Sequence, residues 1–189
     1  MKTPKKVGAP IELCPRVFGK AMVNQTFKSP SGEEYDFGLF DWKSGKVAPS
    51  MAFPLTNDLE VVALKQFRHG ANEIVWEIPG GCPSAEEPPL EVVANELLEE
   101  TGFQAGNLQL LTPKPMWWEP SALTVPYRIY LATGCKKICE PKPDKTEYIE
   151  VVLVPWEKWL KMTKDGTVLD SKTIVATHLA EDYVKNLSK

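Results

Sequence analysis

Three glutamates, Glu96, Glu99 and Glu100, are the residues of this chain whose type and spacing best suit chemistry. On a helix of about 100° per residue, Glu99 and Glu100 fall within about 60° of Glu96, one on either side. Three carboxylates then crowd one face at i, i+3 and i+4. Like charges at that spacing weaken a helix by roughly a few tenths of a kcal/mol per pair, so something should offset them. A solvated acidic face is the ordinary outcome for exposed glutamates. Two features argue for more. No Lys or Arg stands four residues from any of the three, so the helix itself does not neutralise them. Just upstream lies Pro79-Gly80-Gly81, a backbone that can approach an ion closely and offer a carbonyl. Hard oxygen donors of this kind suit Mg²⁺ or Mn²⁺, which commonly act beside substrate phosphates.

The helix that must carry these acids is legible. Pro88 and Pro89 sit where a first turn would begin, Leu90 to Thr101 is rich in helix formers, and Gly102 follows as a C-cap. Leu90, Ala94 and Leu97 are expected to gather on the side that packs against a sheet.

Within Gly81 to Phe103 the segment resembles the Nudix box, G-x5-E-x7-R-E-U-x-E-E-x-G-U, where U is bulky and aliphatic or aromatic. Gly81, Glu87, Glu96, Leu97, Glu99, Glu100, Gly102 and Phe103 all fall in register. The resemblance implies an α/β (α+β) fold: an α/β/α sandwich with a mixed sheet, plus an N-terminal antiparallel β subdomain. It also implies that Glu96 and Glu100 ligate the metal directly, with Glu99 as ligand or close support. The Gly80 carbonyl would be a further ligand and Glu87 a structural or outer carboxylate. One position departs, because Asn95 stands where the family has Arg. Asn95 can donate a hydrogen bond to Glu99, its i+4 neighbour, but carries no charge. A weakened or retuned enzyme is expected, not a dead one.

The flanks are similar to the ADP-ribose pyrophosphatase and nucleoside diphosphate sugar hydrolase branch. Lys65-Gln66-Phe67-Arg68 and Trp76-Glu77-Ile78-Pro79-Gly80-Gly81 match its K-Q-[YF]-R and E-[LF]-P-A-G segments, and Pro120 lies near that branch's downstream proline. The implied reaction is metal-dependent cleavage of the diphosphate bond of ADP-ribose or a related nucleoside diphosphate sugar. A bound metal would neutralise the anionic oxygens and lower the pKa of water. Arg68 could clamp a phosphate with its planar donors, or be a surface charge at a strand end. Glu77 is a further candidate for substrate contact. Glu147 occupies the place of the branch's general base, with Glu140, Asp144 and Glu150 as rivals. Trp42 could stack on the base, and so could Trp117 or Trp118, of which only one need be buried since strand neighbours face opposite ways. His69 and His178 are isolated and receive no role. Two alternatives stay open: a Nudix hydrolase of nucleoside triphosphates or other nucleotides, and a weakly catalytic nucleotide-sugar-binding regulator.

The remaining elements frame that helix. Val17–Lys28 and Tyr35–Trp42 alternate around Ser29-Pro30-Ser31-Gly32, which predicts a hairpin. Leu59–Phe67 reads as a buried strand and Glu73–Pro79 as a second. Strand-like runs follow at Leu108–Leu111, Tyr127–Ala132 and Tyr148–Val154. A helix opens near Pro155, and another spans Ser171–Leu187, with Ile174, Val175, Leu179, Tyr183 and Leu187 on a helical period. Residues 1–50 thus read as an N-terminal β region, to which the resemblance assigns dimerisation and base recognition, and 51–189 as the hydrolase domain. Val17, Phe18, Phe37, Leu39 and Phe40 could serve a homodimer interface or a local core.

Composition sets outer bounds. The 189 residues are 43% hydrophobic and 25% charged, enough for one packed domain and too apolar for a disordered chain. A net charge of −3 advertises neither nucleic acid nor an anionic membrane as partner, and Lys2, Lys5 and Lys6 read as a solvated tail. No apolar run approaches the length of a bilayer span and Met1 to Val17 lacks the apolar centre of a signal peptide, so the expected location is cytoplasmic. The four cysteines, Cys14, Cys82, Cys135 and Cys139, read as free thiols.

Overall fold

Alternation and turn chemistry place most strands where they are found. The computed structural model describes residues 1–17, 19–42, 48–83 and 87–187, the last by its backbone alone; Phe18 and the Leu187 side chain lie outside the described set. At the N-terminus β1 (Lys5–Glu12), β2 (Lys20–Lys28) and β3 (Glu34–Trp42) form an antiparallel sheet in that order. The Ser29–Gly32 turn sets Lys28 opposite Glu34, and the register runs unbroken to Lys20 opposite Trp42. The supposed basic tail is therefore partly a strand. Lys5 and Lys6 pair with Lys28 and Phe27, their side chains remaining exposed.

The remaining elements are β4 (Ser50–Pro54), β5 (Glu60–Arg68), β6 (Glu73–Glu77), β7 (Gly80–Gly81), α1 (Pro89–Thr101), β8 (Phe103–Gln104), β9 (Asn107–Leu110), β10 (Met116–Trp117), β11 (Pro126–Thr133), β12 (Lys136–Lys137), β13 (Ile149–Pro155), α2 (Trp156–Lys164) and α3 (Ser171–Leu187). A mixed sheet runs β10-β11-β4-β7 with β9 on β11, and β4 lies parallel to β11. An antiparallel sheet runs β13-β5-β6, and β12 pairs with β8.

The period of two then builds two cores. Phe53 on β4, Val61 and Ala63 on β5, and Ile129 and Leu131 on β11 face one way, onto Trp156, Trp159, Ala176 and Ala180 of α2 and α3. Ala52, Val62, Tyr130 and Ala132 face the other, onto Val93 and Leu97 of α1. Helices thus cover both faces, the α/β/α layering that was expected. Strands buried on both faces read as continuous apolar runs, which is why β4, with all five residues buried, does not announce itself by alternation. Among the described residues no helix is long and apolar enough to cross a membrane.

The packing side of α1 differs from the expected one. Val92, Val93, Leu97, Glu100 and Thr101 are buried, whereas Leu90 is 49% exposed and Ala94 is exposed. The stripe runs through 93, 97 and 100–101, so Glu100 belongs to the buried edge of the helix. The helix ends as expected at Gly102, whose φ of 75° is left-handed and whose N–H reaches the Leu98 carbonyl. A Cβ there would meet the Cys139 carbonyl oxygen at 2.1 Å, so only glycine fits.

Candidate active site

The buried edge of α1 meets the Pro79–Gly81 turn. Gly80 donates its backbone N–H to Glu100 Oε2 at 2.8 Å, and a Cβ on Gly81 would stand 2.0 Å from Glu96 Oε1. The second glycine therefore makes room for a carboxylate. Glu100 is 3% exposed, Glu96 is half-buried and Glu99 is exposed. Burial, with the neighbouring charges of Glu147, Glu99, Asp144 and Glu87, pushes Glu96 up to about 7. Burial likewise pushes Glu100 up to about 8; Glu96 and Glu147 add to this, while the Gly80 N–H and Arg68 pull it back.

Glu96 and Glu100 line a cavity of about 650 Å³, whereas Glu99 is not on its lining. Asp144 and Glu147 stand with Glu96 and Glu100 on its lining, and Glu147 Oε2 accepts the Asp144 backbone N–H at 2.9 Å. The two other acids considered with Glu147 lie elsewhere: Glu140 pairs with Lys137, and Glu150 with Lys65.

Arg68 also lines the cavity. Its Nε and one terminal nitrogen donate to both oxygens of Glu77 at 2.7 and 2.5 Å. Glu77 is 2% exposed and lies beneath Arg68, outside the lining. In strand register Arg68 faces Glu73 and Glu77 faces Leu64, so the guanidinium reaches back diagonally along the sheet towards the glycine turn.

Trp42 and Trp118 also line the cavity and pack together, with ring centroids 5.5 Å apart and planes 31° apart. Trp118 also stacks on Tyr127 at 5.5 Å. Its neighbour Trp117 is 49% exposed, so the two consecutive tryptophans do face opposite ways. Phe40 exchanges backbone hydrogen bonds with Ala122 and Thr124, which docks the N-terminal sheet beside the site.

Residues 47–174, more than half of the chain, match the NUDIX domain family. The chain belongs to the NUDIX family. An ADP-ribose pyrophosphatase of Bacillus subtilis is 30% identical over 123 residues, 65% of each chain. A methanol dehydrogenase activator of Bacillus methanolicus is 27% identical over 129 residues, again 65% of each chain. The chain thus spans about two thirds of the length of these relatives. A solved structure titled as an ADP compounds hydrolase superposes with a TM-score of 0.78 at 16% identity, covering 99% of this chain and 97% of that one, a likeness of fold.

The NUDIX box thus maps onto the turn, α1 and Gly102, with one difference from expectation. Asn95 Nδ2 donates to Glu87 Oε1 at 2.7 Å, not to Glu99. Among the described residues no three His, Cys, Asp or Glu side chains are gathered into a ready cage for a metal ion. The donors nonetheless fit a divalent cation: they are hard oxygens, burial and mutual repulsion raise Glu96 and Glu100, a cation would relieve that repulsion, and the Gly80–Gly81 backbone leaves space beside Glu96.

Several lining residues were not anticipated, among them Lys20, Ser50, Cys82, Ser171 and Lys172. Lys20 could have been found by counting the hairpin register outward from the turn to Trp42. Ser171 and Lys172 arrive with the start of α3, which tertiary packing alone brings to the cavity.

Proposed function

We propose that this NUDIX chain hydrolyses the diphosphate bond of ADP-ribose or a related nucleoside diphosphate sugar, giving a nucleoside monophosphate and a sugar phosphate. The observation that carries the reading is one cavity with a carboxylate wall, a guanidinium and an aromatic pair. The name of the Bacillus subtilis relative and the fold likeness support it. Mg²⁺ or Mn²⁺ is the proposed cofactor, with Glu96, Glu100, the Gly80 carbonyl and Glu99 as its candidate holders. When bound, such an ion would neutralise diphosphate oxygens and lower the pKa of water.

The chain's own residues supply the rest. Arg68 spends two of its five N–H donors on Glu77 and keeps three for a phosphate. Glu147 is the proposed proton acceptor, since it lines the cavity close enough to raise both Glu96 and Glu100. Trp42 and Trp118 form the proposed platform for the base. The N-terminal region, residues 1–50, is proposed to help recognise the base and to support a homodimer through its exposed apolar residues, such as Phe37 and Met22 at 44%.

Asn95 gives a second reading its footing. Because it bonds Glu87 and leaves Glu99 without a charged neighbour at i−4, the second reading is a weakly catalytic binding protein. One experiment separates the two: product analysis across ADP-ribose, sugar nucleotides and nucleoside triphosphates, with Mg²⁺ and with Mn²⁺. Nucleoside monophosphate plus sugar phosphate is expected. Turnover confined to triphosphates, or binding without turnover, would sink the proposal.

A further inference from the structure

Three cations line the cavity: Lys20, Arg68 and Lys172. Two are already engaged, Arg68 with Glu77 and Lys172 with Asp170. Among the described residues the Lys20 ammonium makes no ion pair or hydrogen bond. Its recorded contact is the Trp42 ring, whose centroid lies 4.6 Å from Nζ.

The fold places this contact deliberately. Lys20 and Trp42 are directly opposed in the β2–β3 register, so both side chains leave the same face of the sheet. Arg16 braces the rung from both strands. It donates to the Gly19 carbonyl at 2.9 Å and to Asp41 Oδ2 at 2.6 Å. Asp41 Oδ1 in turn accepts the Thr124 hydroxyl at 2.6 Å, which ties the rung to the loop after Trp118. An unpaired ammonium is thus held over the Trp42 ring, on the lining of a cavity that also carries Glu96, Glu100, Asp144 and Glu147.

We propose that Lys20 binds the phosphate attached to the nucleoside of a nucleoside diphosphate ligand. This rests on the reading of the cavity as a nucleoside diphosphate site with its base at Trp42 and Trp118. A base there leaves its own phosphate one ribose away, in the neighbourhood of Nζ. An ammonium on a flexible stem suits a phosphate as a point charge, and it asks for no fixed geometry. The assignment makes Lys20 a binding residue that favours phosphorylated over unphosphorylated nucleosides, with no part in the bond-breaking step.

The test is calorimetric titration with Mg²⁺ present, using AMP, GMP, adenosine and guanosine against the wild-type chain, Lys20→Met and Lys20→Arg. Methionine keeps an apolar contact with Trp42 and removes the charge. The wild type should bind the preferred monophosphate more tightly than its nucleoside. Lys20→Met should cut that ratio roughly five- to tenfold with nucleoside affinity unchanged, and Lys20→Arg should preserve it. With a turned-over substrate, KM should rise by a similar factor in Lys20→Met and kcat should stay within about twofold. An equal loss for nucleoside and monophosphate, no loss for either, or a wild type indifferent to the phosphate would each overturn the assignment. If the ratio moves as expected but no diphosphate compound is hydrolysed, the proposed activity fails while Lys20 keeps its role. Hydrolysis with an unmoved ratio gives the reverse.

Discussion

Asn95 bonds Glu87 rather than its i+4 neighbour Glu99, its Nδ2 lying 2.7 Å from Glu87 Oε1. The bond ties α1 to the segment preceding it and leaves the Glu99 carboxylate exposed. An arginine at this position would reach further, carry a charge and stand four residues from Glu99. Asn95→Arg is therefore expected to raise kcat/KM, by up to about tenfold, since such supporting partners are typically worth ten- to a hundredfold. Steady-state kinetics on ADP-ribose at saturating Mg²⁺ would check it. Unchanged or lower turnover would mean that the site has adapted around the Asn95–Glu87 bond.

The two glycines of the turn should respond differently to alanine. At Gly81 the added Cβ meets the end of a flexible side chain, Glu96 Oε1 at 2.0 Å, which can swing aside. At Gly80 it meets backbone, the Ser50 carbonyl oxygen at 2.6 Å and Met51 Cα at 2.7 Å, which cannot. Gly81→Ala should fold with little change in Tm yet lose about ten- to a hundredfold in activity through a displaced Glu96. Gly80→Ala should lower Tm by several degrees or more, on the order of 2 kcal/mol or above. Thermal melts beside kinetics separate the two, and equal effects on stability would refute the distinction.

Much of this was legible in the sequence, and the reasons for the gaps are physical. The spacing of Glu96, Glu99 and Glu100 marked a carboxylate face because a helix of fixed period needs nothing else to bring them together. β5 and α3 followed from apolar runs with clear ends. β4 escaped because strands buried on both faces do not alternate, and its prolines blurred its edges. The packing face of α1 was misjudged because Leu90 and Ala94 are apolar yet lie off the buried stripe, while Glu100 is polar yet on it. The pairing of Arg68 with Glu77 was invisible for another reason. It runs diagonally across the strands, whereas sequence register puts Arg68 opposite Glu73.

That diagonal pair predicts a positioning role for Glu77. Both its oxygens accept from Arg68, and Glu77 is 2% exposed beneath the guanidinium and off the cavity lining. Glu77→Gln keeps the size but gives up one acceptor and the charge. The freed guanidinium has Glu73 as its cross-strand neighbour and would spend less time directed into the cavity. KM should rise by about five- to tenfold with a smaller fall in kcat, and Arg68→Lys should do much the same, because the two-pronged geometry is lost in each. Combining the two should cost little more than either alone, which a double-mutant cycle on KM would measure. Additive losses would instead point to a separate contact between Glu77 and substrate.

The raised carboxyls make the stability of the metal-free chain depend on pH in an unusual direction. Glu96 and Glu100 hold their protons up to about 7 and about 8 in the folded state, against 4.5 for the free side chain. Between those values the folded chain binds more protons than the unfolded one, so stability falls as pH rises. Its contribution is complete below about 4.5 and is lost as pH passes 7 to 8. With EDTA present, Tm should be higher at pH 6 than at pH 8.5, by about 5 °C or more. Mg²⁺ would compete with the protons, so it should stabilise the chain more at pH 8.5 than at pH 6 and release protons on binding. Scanning calorimetry at the two pH values, with and without Mg²⁺, measures all four corners of this cycle. Glu100→Gln should flatten the metal-free slope, because a neutral amide replaces the group that titrates, and should remove much of the Mg²⁺ effect. A metal-free Tm that climbs from pH 6 to pH 8.5 would show that the acids carry their charge without a cation to balance it.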